Sequence, residues 1–428
     1  MTRVEPAGAL VGHMAVPGDK SISHRALLIG ALTDGETQVH GFGRSGDTES
    51  TLHAVRALGV DVEEMTDDEL VVHGAGLRGL REPGAPLDCG NAGTLLRLLT
   101  GILTGQSGTF ELTGDESLRS RPMDRVAEPL TRMGARITTT DGRAPLTIEG
   151  TDALRGIEYA LPVASAQVKS AILLAGLNAA TATTVVEPVP TRDHTELMLE
   201  AAGASVRRRS ASVTIEPAGA LRLAEVVVPG DFSAAAPFVV AATLLAGSDL
   251  TIHDVGLNPR RTGLVDVLER MGARISVFNR RKVAGEWLGD LEIRSAELTG
   301  TEIKRAEVPL LVDELPLFAL AAAFARGESR VHGAGELRVK ETDRIESVTN
   351  ALRGLGIRIR ASDDGFGVRG VPSRPNGGRM SSEGDHRIAM LGAIAGLVSR
   401  EGVEVGGADA AAISFPGFFD LLESVSRR

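Results

Sequence analysis

A glycine-centred stop recurs down this chain: Ala57-Leu58-Gly59-Val60, Arg132-Met133-Gly134-Ala135-Arg136-Ile137, Ala201-Ala202-Gly203-Ala204, Arg270-Met271-Gly272-Ala273-Arg274-Ile275 and Gly354-Leu355-Gly356-Ile357. The interval is roughly seventy to eighty-five residues, a period that marks internal repetition. Each copy ends an amphipathic stretch at a glycine suited to the left-handed position after a helix. Alternating residues such as Arg274-Ile275-Ser276-Val277 then predict a strand. The chain is therefore expected to fold as copies of one helix-then-strand unit.

Between the stops lies a second kind of helix, apolar on nearly every face and preceded by a polar cluster. Six are expected, beginning near Lys20, Asn91-Ala92-Gly93-Thr94, Ser165-Ala166-Gln167-Val168-Lys169, Asp231-Phe232-Ser233, Asp313-Glu314-Leu315-Pro316 and Asp385-His386-Arg387. A helix without a polar face must be buried, so each unit combines one buried helix, one amphipathic helix and several strands. The fold class is α/β (α+β). At 428 residues the chain exceeds one ordinary hydrophobic core, so two domains of three units each are expected, with buried helices inside and sheets outside.

Val16-Pro17-Gly18-Asp19 returns as Val228-Pro229-Gly230-Asp231, each just before a buried helix. That repetition puts one domain at 20–228 and the other at 1–19 plus 229–428. The sixth unit closes with a helix from Phe415 to about Val425 and no following strand, whereas the chain opens with strand-like residues. The opening segment is thus expected to complete the last sheet of the second domain. Crossings near 17–20 and 227–231 would form a two-strand hinge that permits closure over a ligand in a cleft.

The net charge of −10 argues against a nucleic-acid binder, which needs a concentrated basic face, and aromatics at 3% leave few bases-stacking side chains. Met1-Thr2-Arg3-Val4-Glu5-Pro6 lacks the apolar core of a secretory signal, and no apolar run reaches membrane-spanning length. With Cys89 as the single cysteine, no internal disulfide can form; a reducing cytoplasm is expected.

Several motifs fail on context. Gly74-Ala75-Gly76-Leu77-Arg78-Gly79 has dinucleotide-loop spacing, but Leu80-Arg81-Glu82-Pro83 after it reads as loop where a helix is required. Gly18-Asp19-Lys20-Ser21 lacks the glycine that a phosphate-cradling loop places before its lysine. His194-Thr195-Glu196 resembles half of a zinc-deaminase signature without the paired cysteines. Cys89, at a strand end, reads as a small buried thiol.

What remains is a set of cations at helix starts: Lys20, Arg25, Arg121, Arg192, Lys340, Arg344 and Arg387, opposed by Asp313 and Glu341. A like-charge pair at 4 Å costs roughly 4 kcal/mol at intermediate dielectric, so a multiply charged anion is expected to complete the site. Backbone N–H groups at a helix start favour the same ligand. An ordinary capped helix with solvated basic residues would explain the Lys20 to Arg25 cluster equally well, and Asp313-Glu314 and Asp385-His386-Arg387 could simply be caps. Arg192, Asp193 and His194 could be a first-turn ion-pair cluster.

Lys20-Ser21-Ile22-Ser23-His24-Arg25-Ala26-Leu27, Gly90-Asn91-Ala92-Gly93-Thr94, Arg121-Pro122-Met123, Ser165-Ala166-Gln167-Val168-Lys169-Ser170, Arg192-Asp193-His194-Thr195-Glu196, Asp313-Glu314, Arg338-Val339-Lys340-Glu341-Thr342-Asp343-Arg344, Asp385-His386-Arg387-Ile388-Ala389-Met390 and Ser414-Phe415-Pro416 occur in this order. The series resembles the EPSP synthases, and the forms around Ser165 and Arg192 look like that family's second class. The resemblance implies the enolpyruvyl transferase fold, with three βαβαββ repeats in each domain. It implies transfer of an enolpyruvyl group from phosphoenolpyruvate to the 5-hydroxyl of shikimate 3-phosphate, with release of phosphate and no cofactor or metal. The implied partners are these two small molecules, with neither nucleic acid nor membrane, and a monomer is expected.

On that resemblance Lys20, Ser21, Arg25, Ser165, Gln167, Arg192, Asp313 and Lys340 would hold shikimate 3-phosphate. Lys20, Gly93, Arg121, Gln167, Glu341, Arg344 and Arg387 would hold phosphoenolpyruvate. Addition and elimination each need an acid and a base. Asp313 is the expected base on the 5-hydroxyl; Glu341 is expected to move the proton at the methylene carbon, with Lys20 a rival or partner. The family's first class has serine where Ala166 stands and a lysine before the Ser414-Phe415-Pro416 position, so any contact made through that lysine is not carried over. Gly93 implies no steric exclusion of glyphosate, which an alanine there would crowd. Alternatives are the sister UDP-N-acetylglucosamine 1-carboxyvinyltransferase, which uses a loop cysteine, and a binding protein that closes on phosphorylated metabolites without turnover.

Overall fold

The computed structural model describes residues 1–283 and 285–427. The chain forms two compact units: an inserted unit of Gly18–Val228 with Val283–Glu286, and a discontinuous unit of Met1–Pro17, Pro229–Lys282 and Trp287–Arg428.

The inserted unit is built around the helices Lys20–Gly30, Gly93–Leu103 and Ala166–Gly176, whose residues are almost all buried. Asp19 starts the first by accepting the Ile22 N–H at 2.9 Å, and Ser165 starts the third by accepting the Val168 N–H at 3.4 Å. Leu95, Leu96, Leu98 and Leu99 are fully inaccessible, each contributing roughly 1.5–3 kcal/mol of burial. Gly101 lets two of these helices approach: a Cβ there would lie 2.2 Å from the Ala171 carbonyl oxygen. The sequence carries small residues where helices meet and leucine where they fill space.

Helices Gly46–Ala57, Asp124–Arg132 and His194–Ala201 bury one face each. They stop before Gly59, Gly134 and Gly203, with φ of 86°, 99° and 88°, and the same conformation recurs at Gly272 and Gly356 with φ of 104° and 83°. These angles exclude an L side chain without strain, which is why the stop is spelled with glycine every time.

Sheet order repeats as well. Glu158–Ala160 runs parallel to Thr183–Val186, which pairs antiparallel with Ser212–Ile215 and it in turn with Val206–Arg209. The sheet of Leu87–Asp88, Thr109–Thr113, Arg143–Glu149 and Arg136–Thr140 has the same order. In the first repeat the leading strand is Glu225–Val227, parallel to Asp34–His40, so the end of this unit closes on its beginning.

The discontinuous unit follows the same plan with buried helices Phe232–Leu244, Leu315–Phe324 and His386–Val398. Its opening residues supply two sheets, one more than expected. Thr2–Val4 pairs with Val403–Gly406 in the last sheet, while Ala9–Ala15 runs parallel to Asp249–Gly256 in a five-stranded one. Two further expectations need correction. The final helix spans Phe418–Val425, not Phe415 onward, because Phe415 precedes Pro416 and Gly417 is left-handed with φ of 76°. A strand does follow it, Ser426–Arg427, pairing with Ala9–Leu10. Among the described residues no helix is long and apolar enough to cross a membrane.

Candidate active site

In the inserted unit, Lys20 opens the first buried helix and Arg25 lies one turn further along it, whereas Arg121 ends the short helix Glu116–Ser120 and Arg192 precedes the helix His194–Ala201. The Lys20 ammonium is held by the Asp47 carboxylate at 2.7 Å. Arg25 is buried: its Nε donates to Thr195 Oγ1 at 2.7 Å, one terminal nitrogen to Ser170 Oγ at 3.0 Å and the other to the Ser21 carbonyl at 2.9 Å. Burial among these uncharged oxygens pushes the Arg25 guanidinium down to about 10, against the pull of Glu196 and Asp19. Arg192 lies close enough to add to that depression. Burial also pushes His24, beside Thr51, down to about 3, so its ring is neutral at pH 7.

A second group surrounds Gly93. A Cβ on Gly93 would stand 3.0 Å from an Arg97 terminal nitrogen and 3.1 Å from one of Arg121. Arg97 donates to Gln167 Oε1 at 2.5 Å, and Gln167 Nε2 donates to Thr94 Oγ1 at 3.0 Å. Arg121 donates to Asn91 Oδ1 at 2.6 Å and to Ser117 Oγ at 3.3 Å. Gly93, Arg121 and Gln167 are thus brought together, with Arg97, in a cationic corner. Ser165 is half-buried at the cap of its helix.

In the discontinuous unit, Arg344 is the hub. It is 1% exposed and contacts Glu341 at 2.6 Å, Asp385 at 2.7 Å and Asp313 at 3.3 Å. Burial alone would lower its proton affinity, but Glu341, Asp385 and Asp313 outweigh that and raise it. Asp385 is correspondingly held below the usual carboxylate range, Arg344 overcoming the opposing effect of burial. Lys340 approaches Asp313 at 3.8 Å, and Arg387 reaches Glu314 at 3.5 Å and Asp313 at 4.0 Å. Asp313, Lys340, Glu341, Arg344 and Arg387 therefore converge, as the sequence order alone cannot show.

The carboxylates change the electrostatic argument. Cations were expected to need a ligand for neutralisation; here Lys20, Arg344 and Arg387 already have protein carboxylates against them. Glu341, at 2.6 Å from Arg344, is only partly buried, whereas Asp385 on the same guanidinium is fully buried.

The sequence profile described as EPSP synthase (3-phosphoshikimate 1-carboxyvinyltransferase) matches residues 4–422. The chain belongs to the EPSP synthase family. It is 52% identical over 419 residues to a 3-phosphoshikimate 1-carboxyvinyltransferase of Alkalilimnicola ehrlichii, covering 98% of this chain and 94% of that one. A namesake from Halorhodospira halophila is 51% identical over 421 residues, covering 98% and 95%. The EPSP synthase structure from Acinetobacter baumannii superposes with a TM-score of 0.89 at 42% identity, over 99% of this chain and 97% of that one. The enolpyruvyl transferase NikO from Streptomyces tendae, at 19% identity and a TM-score of 0.76, shares the fold.

Within this EPSP synthase-family chain, sequence reasoning missed the groups that hold the predicted residues: Asp47 for Lys20, Arg97 for Gln167, and Arg261. Arg261 is buried and lies 3.2 Å from Asp231, 3.5 Å from Asp313 and 3.6 Å from Glu314. A charged residue inside an apolar helix was the available signal for Arg97, among Leu95, Leu96, Leu98 and Leu99. The set-aside motifs stay set aside. Glu69–Ala75 is a strand with no helix after it before Gly93, Cys89 is buried and its thiol proton affinity is pushed up by that burial, and His194 contacts Glu286 at 2.7 Å. Among the described residues, the side chains placed to share a metal ion are Asp61, Glu63 and His73, none of them a predicted site residue.

Proposed function

We propose that both groups of residues act on one pair of substrates in the reaction of the family. That reaction is the 3-phosphoshikimate 1-carboxyvinyltransferase reaction, which joins the enolpyruvyl group of phosphoenolpyruvate to shikimate 3-phosphate. In our assignment Lys20, Ser21, Arg25, Ser165, Gln167, Arg192, Asp313 and Lys340 hold shikimate 3-phosphate. Lys20, Gly93, Arg121, Gln167, Glu341, Arg344 and Arg387 hold phosphoenolpyruvate. The observation that carries the assignment is the convergence of Asp313 and Glu341 on Arg344, at 3.3 Å and 2.6 Å, because it offers two carboxylates beside one buried cation.

Asp313 takes the proton of the 5-hydroxyl as its oxygen bonds to C2 of phosphoenolpyruvate, and C3 gains a proton from Glu341, with Lys20 as partner or rival donor. Glu341 then takes a C3 proton back as the C2–O bond to phosphate breaks, and the departing phosphate takes the proton held by Asp313, which restores the double bond and both carboxyl groups. Protons and electrons balance without a cofactor. Arg121, Arg344 and Arg387 suit paired hydrogen bonds to phosphate and carboxylate.

Apart from the short excursion of Val283–Glu286, the chain passes between the units at Pro17–Gly18 and Val228–Pro229. We assign these crossings as the hinge, tested by small-angle scattering, where both substrates together should reduce the radius of gyration. The working unit we propose is a single chain in the cytoplasm, whose reducing conditions the lone Cys89 fits. Phosphate release should require shikimate 3-phosphate with phosphoenolpyruvate, and UDP-N-acetylglucosamine should not substitute. Asp313→Ala is expected to lower kcat by about a thousandfold, and full turnover in that variant would remove Asp313 from the base role.

A further inference from the structure

Behind the cationic turn of the inserted unit lies a buried ionic cluster that the reaction does not use. Lys169 is fully inaccessible; its ammonium lies 3.1 Å from both Glu187 carboxylate oxygens and 2.7 Å from Glu196. Isolating a charge from water is costly, and replacing a buried ion pair with apolar side chains of similar volume is often neutral or stabilising. Stability is therefore a weak reason for the cluster to exist, and its connections suggest another.

Glu187 follows the strand Thr183–Val186, and Pro188 and Pro190 come next, each without an N–H to close a turn. The Glu187 carboxylate closes it instead: Oε1 accepts the Thr191 N–H at 3.1 Å and the Thr191 hydroxyl as well. Arg192 is the next residue, and the helix His194–Ala201 starts two residues later. On the other side, Glu196 adjoins Thr195, whose hydroxyl accepts from Arg25 Nε, and Lys169 adjoins Ser170, which accepts from the Arg25 terminal nitrogen. One buried cation, on the helix that also carries Ser170, thus ties the turn before Arg192 to the helix that carries Thr195.

We propose that Glu187, held by Lys169, is a positioning residue for the acceptor-phosphate pocket: through Thr191 it fixes the turn that presents Arg192 to shikimate 3-phosphate. This rests on the reading of Arg192 as a ligand of that substrate. Glu187 touches neither substrate nor the reacting atoms, so its effect belongs in acceptor binding and not in the chemical step.

Steady-state kinetics on the full chain test this, with melting curves to verify folding. Glu187→Gln is expected to raise KM for shikimate 3-phosphate about tenfold while kcat and KM for phosphoenolpyruvate change by less than about twofold, the size of losing one charge-assisted contact. Thr191→Val leaves the buried ions intact and should raise the same KM several-fold, which keeps the test open if Glu187→Gln does not fold. Arg192→Gln should itself raise that KM, and adding Glu187→Gln to it should change nothing further. If Arg192→Gln raises KM but Glu187→Gln and Thr191→Val do not, or if the double variant is additive, the positioning role is overturned and the Arg192 assignment stands. If Arg192→Gln leaves KM unchanged, the Arg192 assignment falls and the positioning role falls with it.

Discussion

Arg25 and Arg344 are both buried arginines, one in each unit, and their surroundings are opposite. Arg25 is fixed by two hydroxyls and a carbonyl, and its proton affinity falls to about 10; Arg344 is fixed by three carboxylates, and its proton affinity rises. Neutral oxygens orient a guanidinium without spending its charge. Carboxylates balance it, and under the proposed assignment a substrate anion would compete with them. The first arrangement suits a pocket that receives a permanent phosphate, the second a place where charge and protons are exchanged during turnover.

Glu341→Gln tests the contrast hardest. If the Arg344 side is where protons move, kcat should fall about a hundredfold and the acidic limb of the kcat pH profile should change. A variant that altered KM for phosphoenolpyruvate with kcat intact would make Glu341 a charge balance only. On the other side, Arg25→Gln should act on binding: KM for shikimate 3-phosphate is expected to rise about ten- to hundredfold, as for loss of a charged hydrogen-bonding group.

Smaller effects sharpen the picture. Gly93→Ala places a methyl group 3.0–3.1 Å from the Arg97 and Arg121 guanidinium nitrogens. Those side chains can shift, so a several-fold rise in KM for phosphoenolpyruvate, with weaker inhibition by glyphosate, is expected rather than loss of activity. Inhibition that strengthened would contradict it.

The smallest effect concerns His24, which shares the burial of Arg25. Its pKa lies near 3 in the folded chain against an ordinary 6.5, so below pH 6.5 the unfolded chain binds a proton that the folded one refuses. His24 therefore costs nothing above pH 6.5, and stability is lost as pH falls from there towards 3. Melting curves from pH 7 to 4 should show a shallower decline in His24→Gln than in the parent protein.

Much of this is legible in the sequence. The stop at Gly59, Gly134, Gly203, Gly272 and Gly356 is a local backbone requirement, and local requirements are written where they act. Apolar runs after Lys20 and Asp231 declared burial in the same way. Asp47 beside Lys20 and Arg261 beside Asp313 were not legible, because each pair is made by separate elements and nothing in either segment names its partner. The final helix was misplaced for a smaller reason: Phe415-Pro416-Gly417 continues an apolar pattern but cannot continue a helix. The second use of the opening residues, in a sheet with Asp249–Gly256, was hidden because a parallel register leaves no turn signal.

That pairing also orders events during synthesis. The inserted unit needs only residues up to Glu225–Val227 to complete its first sheet, so it can fold while translation continues. Ala9–Ala15, made before it, must wait first for Asp249–Gly256 and then for Ser426–Arg427. Residues made before the inserted unit are thus secured after it, and the discontinuous unit, whose strands pair across hundreds of residues, should set the pace of maturation.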